Sequence, residues 1–421
     1  MAATDNKNAP PVAREEIMSS LSAPRAGSFK LSQLFNDTRY RSYTFQFIAL
    51  MLLITLFAYL GSNLAQNLRD AGLNISYQFL GEPAGYDINQ RLIEYDSQST
   101  HLRASVVGVL NTLLVAILGC ILATVIGVVV GVLRLSKNWL IRKIMAVYVE
   151  IFRNVPVLIW ILIILSVFTA ILPQPRDFRG ENPDASMLWD AFAFTGRGFY
   201  FPKPIFEPGS GIVIATFVAS IIGIFVYRAY VRKQLYDAGR LLPMFWPSVG
   251  LFFVPVIVMF FIMGQPVVME YPALQGFNFQ GGIFARNSFI SLWFALSIYT
   301  AAFIAENVRA GILAVSKGQT EAAASLGLRP GRIMNLVILP QALRIIIPPL
   351  ISQYLNLTKN SSLAIAVGYM DVTGTLGGIT LNQTGRAIES VLLLMLFYLA
   401  ISLAISAIMN VYNNAVKLKE R

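Results

Sequence analysis

Two pairs of ionisable side chains stand in largely apolar stretches and are the groups best placed to do chemistry. Glu150 and Arg153 form one pair, Glu306 and Arg309 form the other, and both have the i, i+3 spacing of neighbours on a helix face. Charged groups at membrane depth are costly and usually mark pathways for polar solutes. Each pair therefore has two interpretations. It is a local ion pair near the membrane surface, or its carboxylate and guanidinium bind the ammonium and carboxylate of a zwitterionic substrate.

A third group of polar residues interrupts the apolar segment at 341–364. Gln353, Asn356 and Lys359 lie there, and two adjacent prolines, Pro348 and Pro349, remove backbone donors and bend a helix. Irregular polar backbone persists at membrane depth only beside protein or water. We therefore expect this segment to line a translocation path, with the three polar side chains as candidate path residues.

Composition excludes several other kinds of chemistry. The chain has one cysteine, Cys120, and one histidine, His101, which excludes a disulfide framework and a cysteine-based zinc site. It contains no G-x-x-x-x-G-K-[ST] sequence, so we do not expect it to hydrolyse ATP. An intramembrane enzyme with paired carboxylates is disfavoured, because Glu150 and Glu306 each have an arginine one turn away. The expectation is a chain that is not an enzyme and binds neither a metal nor a cofactor.

The composition is instead that of a polytopic membrane protein. Of the 421 residues, 56% are hydrophobic and 13% are charged, whereas soluble domains carry roughly a quarter charged residues. The mean hydropathy is +0.61. We expect an all-α fold with about eight transmembrane helices, since a span needs about 20 mostly apolar residues. The predicted spans are 44–64, 104–133, 146–172, 211–227, 243–264, 288–307, 341–364 and 390–412.

The net charge of +11 is explained by membrane topology. Basic residues concentrate in the stretches 134–143, 228–240 and 309–332, which eight spans place on one side, while the loops 65–103 and 173–210 are acidic or balanced. The positive-inside rule then places both termini in the cytoplasm. The two long loops either cover helix ends or form a docking surface for an extracytoplasmic partner. No nucleic-acid partner is expected.

The stretch EAAASLGLRPGRIMNLVILP, at 321–340, has unusual features for a connection between two apolar segments. Its alanine run at 321–326 favours a helix, and Gly327 permits a left-handed stop. Pro330 favours the start of a second short helix over 331–338. The small alanines allow close approach by another backbone. The residues alone are compatible with an amphipathic connector on the membrane surface or with a docking element to which another protein binds.

The same stretch resembles the EAA loop of ABC importer permeases, which has Glu-Ala-Ala, three residues, Gly, nine residues and Ile-x-Leu-Pro. The residues that match are Glu321, Ala322, Ala323, Gly327, Leu339 and Pro340, with Val337 in place of the usual Ile. AAFIAENVRAGI (301–312), LPQALRIIIPPL (339–350) and TKNSSL (358–363) resemble segments of the polar amino acid permeases. YVEIFRNVPVL (148–158) does so too, although Asn154 follows Arg153 where Gly is usual. The length and the added spans resemble the general L-amino-acid subgroup.

This resemblance implies a permease subunit of an ATP-driven importer that carries amino acids across the bacterial inner membrane by alternating access. It implies a type I importer-like core of five helices with three additional helices, and coupling helices that sit in a groove of a separate ATPase. The implied partners are a second related permease, with a heterodimer favoured over a homodimer, two ATPase subunits that bind ATP and Mg, and a periplasmic amino-acid-binding protein. The alternative is an ion-coupled secondary amino-acid transporter, which needs neither the loop nor an ATPase.

On this interpretation the chain has six parts. They are a cytoplasmic tail (1–43), the first span with an extracytoplasmic loop (44–103), the first part of the core (104–172), an insertion with two extra spans (173–287), the second part of the core with the coupling loop (288–412) and a cytoplasmic tail (413–421).

Overall fold

The structure is a computed structural model that describes residues 35, 38–72, 74–180, 182–240 and 242–416. Most of the predicted N-terminal tail and residues 417–421 of the C-terminal tail lie outside these ranges. The chain forms two units, residues 1–75 and 76–421, and each is described by itself. The described part of the first unit is dominated by one helix of 33 residues, α1 (Thr38–Asp70).

The second unit contains the other long helices, joined by short helical turns. The helices are α2 (His101–Leu133), α3 (Trp139–Asn154), α4 (Val157–Ile171), α5 (Ser210–Ala238), α6 (Phe245–Ile262), α7 (Asn287–Leu313), α8 (Lys317–Ser325), α9 (Pro330–Ile333), α10 (Leu339–Asn360), α11 (Val372–Gly374), α12 (Leu381–Thr384) and α13 (Ala387–Val416). Within the described residues, eight helical segments of the two units are long and apolar enough to cross a membrane. The predicted number of spans and the helical fold class are confirmed.

Helix α7 is the centre of the second unit, because α2, α3, α4 and α10 all pack against it. Its contact with α2 is close at two glycines of α2. A Cβ atom at Gly127 would lie 2.6 Å from Cβ of Ile304, and one at Gly131 would lie 2.7 Å from the carbonyl oxygen of Ala305. Side chains at these positions would push the helices apart, so the two glycines set the α2–α7 distance.

The predicted third span, 146–172, is wrong at its start. Residues before Pro156 belong to α3, a separate amphipathic helix, and the spanning helix α4 begins only at Val157. A proline restricts the residue before it to extended backbone. Val155 accordingly has φ −105° and ψ 132°, which ends α3. Glu150 therefore lies on α3 and not within a span.

Short strands, which the sequence analysis did not predict, occur in the segments between α4 and α5 and between α6 and α7. They are β1 (Ala193–Thr195), β2 (Gly198–Phe201), β3 (Lys203–Phe206), β4 (Val267–Glu270), β5 (Ala273–Gln275), β6 (Asn278–Gln280) and β7 (Ile283–Arg286). The strands pair in three antiparallel sheets, β1-β2-β7, β3-β4 and β5-β6. Tyr200 of β2 stacks on Phe284 of β7 with ring centroids 4.5 Å apart, and Phe279 is buried beside Tyr200. Two segments separated by two spanning helices thus form one small cap.

Candidate coupling loop and translocation path

The loop between α7 and α10 has the local conformation that its sequence predicts. Helix α8 covers the alanine run, and Gly327 follows it with φ +77°, its N–H donating to the carbonyl oxygen of Ala324 at 2.9 Å. No atom lies within 4 Å of the Cβ position at Gly327, so the left-handed backbone, not lack of space, requires glycine. Pro330 is the first residue of α9, where its missing N–H costs nothing.

The exposed surface of α8 and of the bend that follows it is made mostly of small side chains. Helix α8 contacts α9 and the π turn that follows it, and Ala323 and Ile333 are buried. Glu321 and Ala322 are exposed. Leu326, which the sequence analysis did not single out, is 80% exposed. Leu336 of the π turn is also exposed, at 65%. Small residues beside exposed leucines suit insertion into a groove of another protein.

The second short helix predicted for 331–338 does not end there. Helix α9 continues through a π turn, Met334–Ile338, into α10 without a break in the chain's helical course. Leu339 and Pro340 are therefore the first residues of the long helix, where Leu339 is 39% exposed. From Pro330 to Asn360 this helical column is about 45 Å long at 1.5 Å per residue. It connects the loop physically to the centre of the protein.

The C-terminal end of α10 lies level with the middle of α2. A Cβ atom at Gly119 would be 3.0 Å from Cδ2 of Leu357, and the hydroxyls of Thr124 and Tyr354 are hydrogen bonded at 2.7 Å. Gly119 is close to the midpoint of α2, a helix of 33 residues. If α2 crosses the membrane, the stretch of α10 around Leu357 is near the bilayer midplane.

The three predicted path residues of α10 lie at this level. Asn356 and Lys359 are exposed and Gln353 is half-buried in the single chain. Among the residues that the structure describes, the Lys359 side chain has no ion pair within 4.0 Å and no hydrogen bond. A lysine facing lipid at this depth would be costly, which favours a position facing protein or water.

Glu306 forms the local ion pair with Arg309 that was one of its two interpretations. Nε of Arg309 donates to Oε1 of Glu306 at 3.2 Å, and Arg134, the residue after α2, donates to Oε2. The carboxylate thus joins the ends of α2 and α7. Arg134 was not singled out in the sequence, because it lies 172 positions from Glu306 and nothing local indicates the contact.

Glu150 and Arg153 do not form the local ion pair of the first interpretation. Their charged atoms are not within 4.0 Å of each other; Asn154 donates to Oε2 of Glu150 at 3.3 Å. Cζ of Arg153 lies 5.4 Å from the ring centroid of Phe303 on α7. A cation–π contact with the neighbouring helix therefore replaces the contact along α3.

A buried polar segment between α10 and α13 was missed in the sequence. It packs against the first half of α2 through side chain to backbone hydrogen bonds. Nδ2 of Asn111 donates to the carbonyl oxygens of Gln90 and Met370, both at 2.8 Å. The Val372 N–H donates to Oγ1 of Thr112 at 3.1 Å. These bonds satisfy irregular backbone that has no helical partner, as required away from water.

Asp371 lies in this segment and is fully buried. Its Oδ1 accepts the Gly374 N–H at 2.8 Å, whereas its Oδ2 has no hydrogen-bond partner within the described residues. Burial raises the pKa of the Asp371 carboxyl to about 7. The signal in the sequence was an acid in the run GYMDVTGT between two apolar segments. It was overlooked because that run lay outside every predicted span.

Comparisons with known proteins identify the family of the chain. A family model described as binding-protein-dependent transport system inner membrane component matches residues 211–418. The chain is 50% identical to the glutamate/glutamine/aspartate/asparagine transport system permease protein BztB of Rhodobacter capsulatus, covering 94% of this chain and 98% of that protein. It is 43% identical to the general L-amino acid transport system permease protein AapQ of Rhizobium johnstonii, covering 91% and 94%.

A solved amino acid ABC transporter with histidines aligns with 75% of this chain and 95% of its own, at 19% identity and a TM-score of 0.43. The sequence relatives cover nearly the full length of the chain at 43–50% identity. The expectation of a transport permease and not an enzyme is confirmed by this membership. The chain belongs to the binding-protein-dependent transport permeases, as an amino-acid ABC importer permease of the general L-amino-acid subgroup.

Proposed function

We propose that this chain forms one half of the translocation path of its importer in the bacterial inner membrane, with both termini in the cytoplasm. The observation that carries the proposal is the continuous helical column from Pro330 to Asn360, which has an exposed loop at one end and exposed polar residues near mid-membrane at the other. Glu321, Ala322 and Leu326 present the loop to the ATPase subunit.

The helical column can transmit a displacement of the loop directly to the path residues of α10. When the ATPase dimer closes on ATP, its groove carries α8 and α9 with it, and the column displaces the C-terminal end of α10. The π turn at Met334–Ile338 and the prolines Pro348 and Pro349 are the places where the column can bend. ATP binding thereby shifts the population from an inward-open to an outward-open path. The Glu306 ion pairs hold the ends of α2 and α7 together during this movement.

The polar residues of α10 suit the groups that all α-amino acids share. The ammonium of Lys359 pairs with a substrate carboxylate, and the amides of Gln353 and Asn356 accept and donate hydrogen bonds. Because the carboxylate is common to all L-amino acids, this contact supports a broad range that includes the acidic residues and amides for which the Rhodobacter relative is named. Glu150 and Arg153 remain predicted path residues on α3.

The proposed assembly contains this chain, a second related permease, two ATPase subunits and a periplasmic amino-acid-binding protein. ATP and Mg are bound by the ATPase subunits, and this chain binds no cofactor. The six parts predicted from the sequence remain our proposed division of the chain. In it, the insertion at 173–287 adds its two helices and part of the cap to the permease core.

Uptake of labelled L-amino acids by cells that lack this chain tests the proposal. The cells are complemented with wild type, Gly327→Val or Gly223→Val, with and without the ATPase subunit. Gly223 lies on α5 with open space at its Cβ position and so provides a control. We expect broad uptake that requires the ATPase, and background uptake with Gly327→Val despite normal amounts in the membrane, because valine strains a left-handed backbone.

Two results would count against the proposal. Uptake that persists without the ATPase would favour the secondary-transporter alternative. Normal uptake by Gly327→Val would show that the loop conformation does not matter for coupling. In contrast, loss of uptake by both glycine variants would indicate a general intolerance to valine, which protein amounts and thermal unfolding of the two variants would reveal.

A further inference from the structure

Helix α3 carries two different exposed surfaces. Val149 is buried against Ala302 and Ala305 of α7, which fixes the orientation of the helix. An apolar stripe, formed by Leu140, Ile144, Val147 and Ile151, is 46–56% exposed. Its spacing is that of one helix face. A helix with an exposed apolar face and a cationic face lies in the surface layer of a membrane.

The cationic face of α3 meets the ends of α2 and α7 around a cavity of about 280 Å³. We call it the basic pocket, and it is lined by Arg134, Trp139, Arg142, Lys143, Ala146 and Arg309. Four of these residues are cations, and Glu306 is the carboxylate that pairs with two of them. The local charge is thus about +3. Each guanidinium has five N–H donors, more than the one shared carboxylate can accept.

We propose that the basic pocket binds the phosphate headgroup of an anionic phospholipid, which goes beyond the transport function. Three features favour a lipid over other anions. The apolar stripe begins at Leu140, beside the pocket, and offers a surface for acyl chains. Trp139 is 65% exposed at the pocket's edge, and tryptophan is enriched at membrane surfaces. Basic pockets between membrane helices on the cytoplasmic side are suited to anionic headgroups.

A bound headgroup would connect three helix ends that carry the same charge. Arg142 and Lys143 on α3 are exposed and have no acid within 4.0 Å among the described residues. A phosphate among Arg134, Arg142 and Lys143 would relieve their mutual repulsion and hold α3 against α2 and α7. Since α7 leads through three residues into α8, the lipid would also stabilise the base of the coupling loop.

The test uses the complete transporter in nanodiscs of phosphatidylcholine, with or without phosphatidylglycerol. Lipid retention is measured by native mass spectrometry, and stability by thermal unfolding. The test variant is Arg142→Gln/Lys143→Gln. The control is Arg228→Gln/Arg232→Gln, which removes the same charge from an exposed basic region of α5. A further arm adds inorganic phosphate to phosphatidylcholine nanodiscs.

We expect the wild type and the α5 variant to retain phosphatidylglycerol and to be stabilised by it. The α3 variant should retain it about 30-fold more weakly, because two cations near an anionic surface each contribute about fivefold. Equal losses in both variants would mean unspecific attraction and would overturn the proposal. So would stabilisation of the wild type by phosphate alone, or retention by the α3 variant at the wild-type level. Loss of the ATPase subunit from the α3 variant alone, with lipid retention intact, would assign the pocket to a protein partner instead.

Discussion

The coupling loop at 317–338 and the segment at 361–386 flank the two ends of α10, yet they are built in opposite ways. The loop leaves small side chains and two leucines, Leu326 and Leu336, exposed, and one left-handed glycine determines its bend. The other segment buries Asp371 completely and is held to α2 by Asn111. The surface that we propose contacts another protein leaves its side chains exposed, whereas a fixed support uses polar side chains to satisfy its own backbone. Mutations should therefore affect coupling in the first region and folding in the second.

The largest effect should follow from Asn111→Leu, which removes both donors that hold the buried segment. Two carbonyl oxygens, of Gln90 and Met370, would lose their partners. We expect a destabilisation of about 2–5 kcal/mol, measured as a lower thermal unfolding temperature of the purified complex. Asn382→Leu is the control, because its amide donates to Gly378 on an exposed turn. Equal stability of both variants would mean that the segment does not act as a fixed support.

Leu326→Ala should lower transport without lowering stability, in contrast to Asn111→Leu. The side chain is exposed in the single chain, so its loss should leave the unfolding temperature unchanged. If it fills a pocket on the ATPase, we expect about 30-fold less ATP-dependent uptake, as for a truncated anchor at an interface. Ile222→Ala on α5, also exposed, should transport normally. Wild-type uptake by Leu326→Ala would contradict its role as an anchor. A lower unfolding temperature of this variant would show that the loop, like the buried segment, contributes to folding stability.

Lys359→Gln tests the residue that lies between these regions. It should raise the KM for amino-acid uptake about tenfold, since a charge-assisted hydrogen bond to the carboxylate contributes about 1.5–3 kcal/mol. Lys359→Arg should retain much of the function because it keeps the charge. Lys137→Gln, at an exposed loop after α2, is the control. A KM for Lys359→Gln equal to that of Lys137→Gln would place the lysine outside the path.

The smallest effect is a pH dependence of stability from Asp371. Its pKa is about 7 in the folded protein and 3.8 as the ordinary value, so the folded state binds more protons between these values. The stabilisation is complete below about pH 4 and is lost as the pH rises through about 7. Between about pH 6 and pH 8 the loss should be about 1 kcal/mol.

Asp371→Asn should remove this slope, as measured by thermal unfolding at several pH values. The other titratable groups near the carboxyl are Tyr369 and Tyr398, whose hydroxyls do not titrate in this range. Tyr398→Phe is therefore a suitable control that should leave the slope in place. A slope that is identical in wild type and Asp371→Asn would show that the carboxyl is not the group that titrates.

Local features of the chain were predicted more accurately than contacts between distant residues. The number of spans, the left-handed Gly327 and the helix start at Pro330 were predicted correctly. Span three was started too early, and the helix of span four continues to Ala238, beyond the predicted end at 227. The second short helix was predicted to end at 338, but nothing in the local sequence excluded its continuation through a π turn. The Glu150–Arg153 ion pair, one of two interpretations, is absent from the described residues, and Arg153 contacts Phe303 of another helix instead.

The sequence by itself determined which stretches cross the membrane, how the coupling loop bends and to which family the chain belongs. These properties depend on residues within a few positions of one another, through hydropathy, glycine and proline backbone preferences, and motif spacing. Only the tertiary structure decided that Arg134 meets Glu306 across 172 positions, that β2 pairs with β7, and that Asp371 is buried against α2. Such contacts depend on helix and strand packing, because two residues far apart in sequence become neighbours only when the elements that carry them pack together.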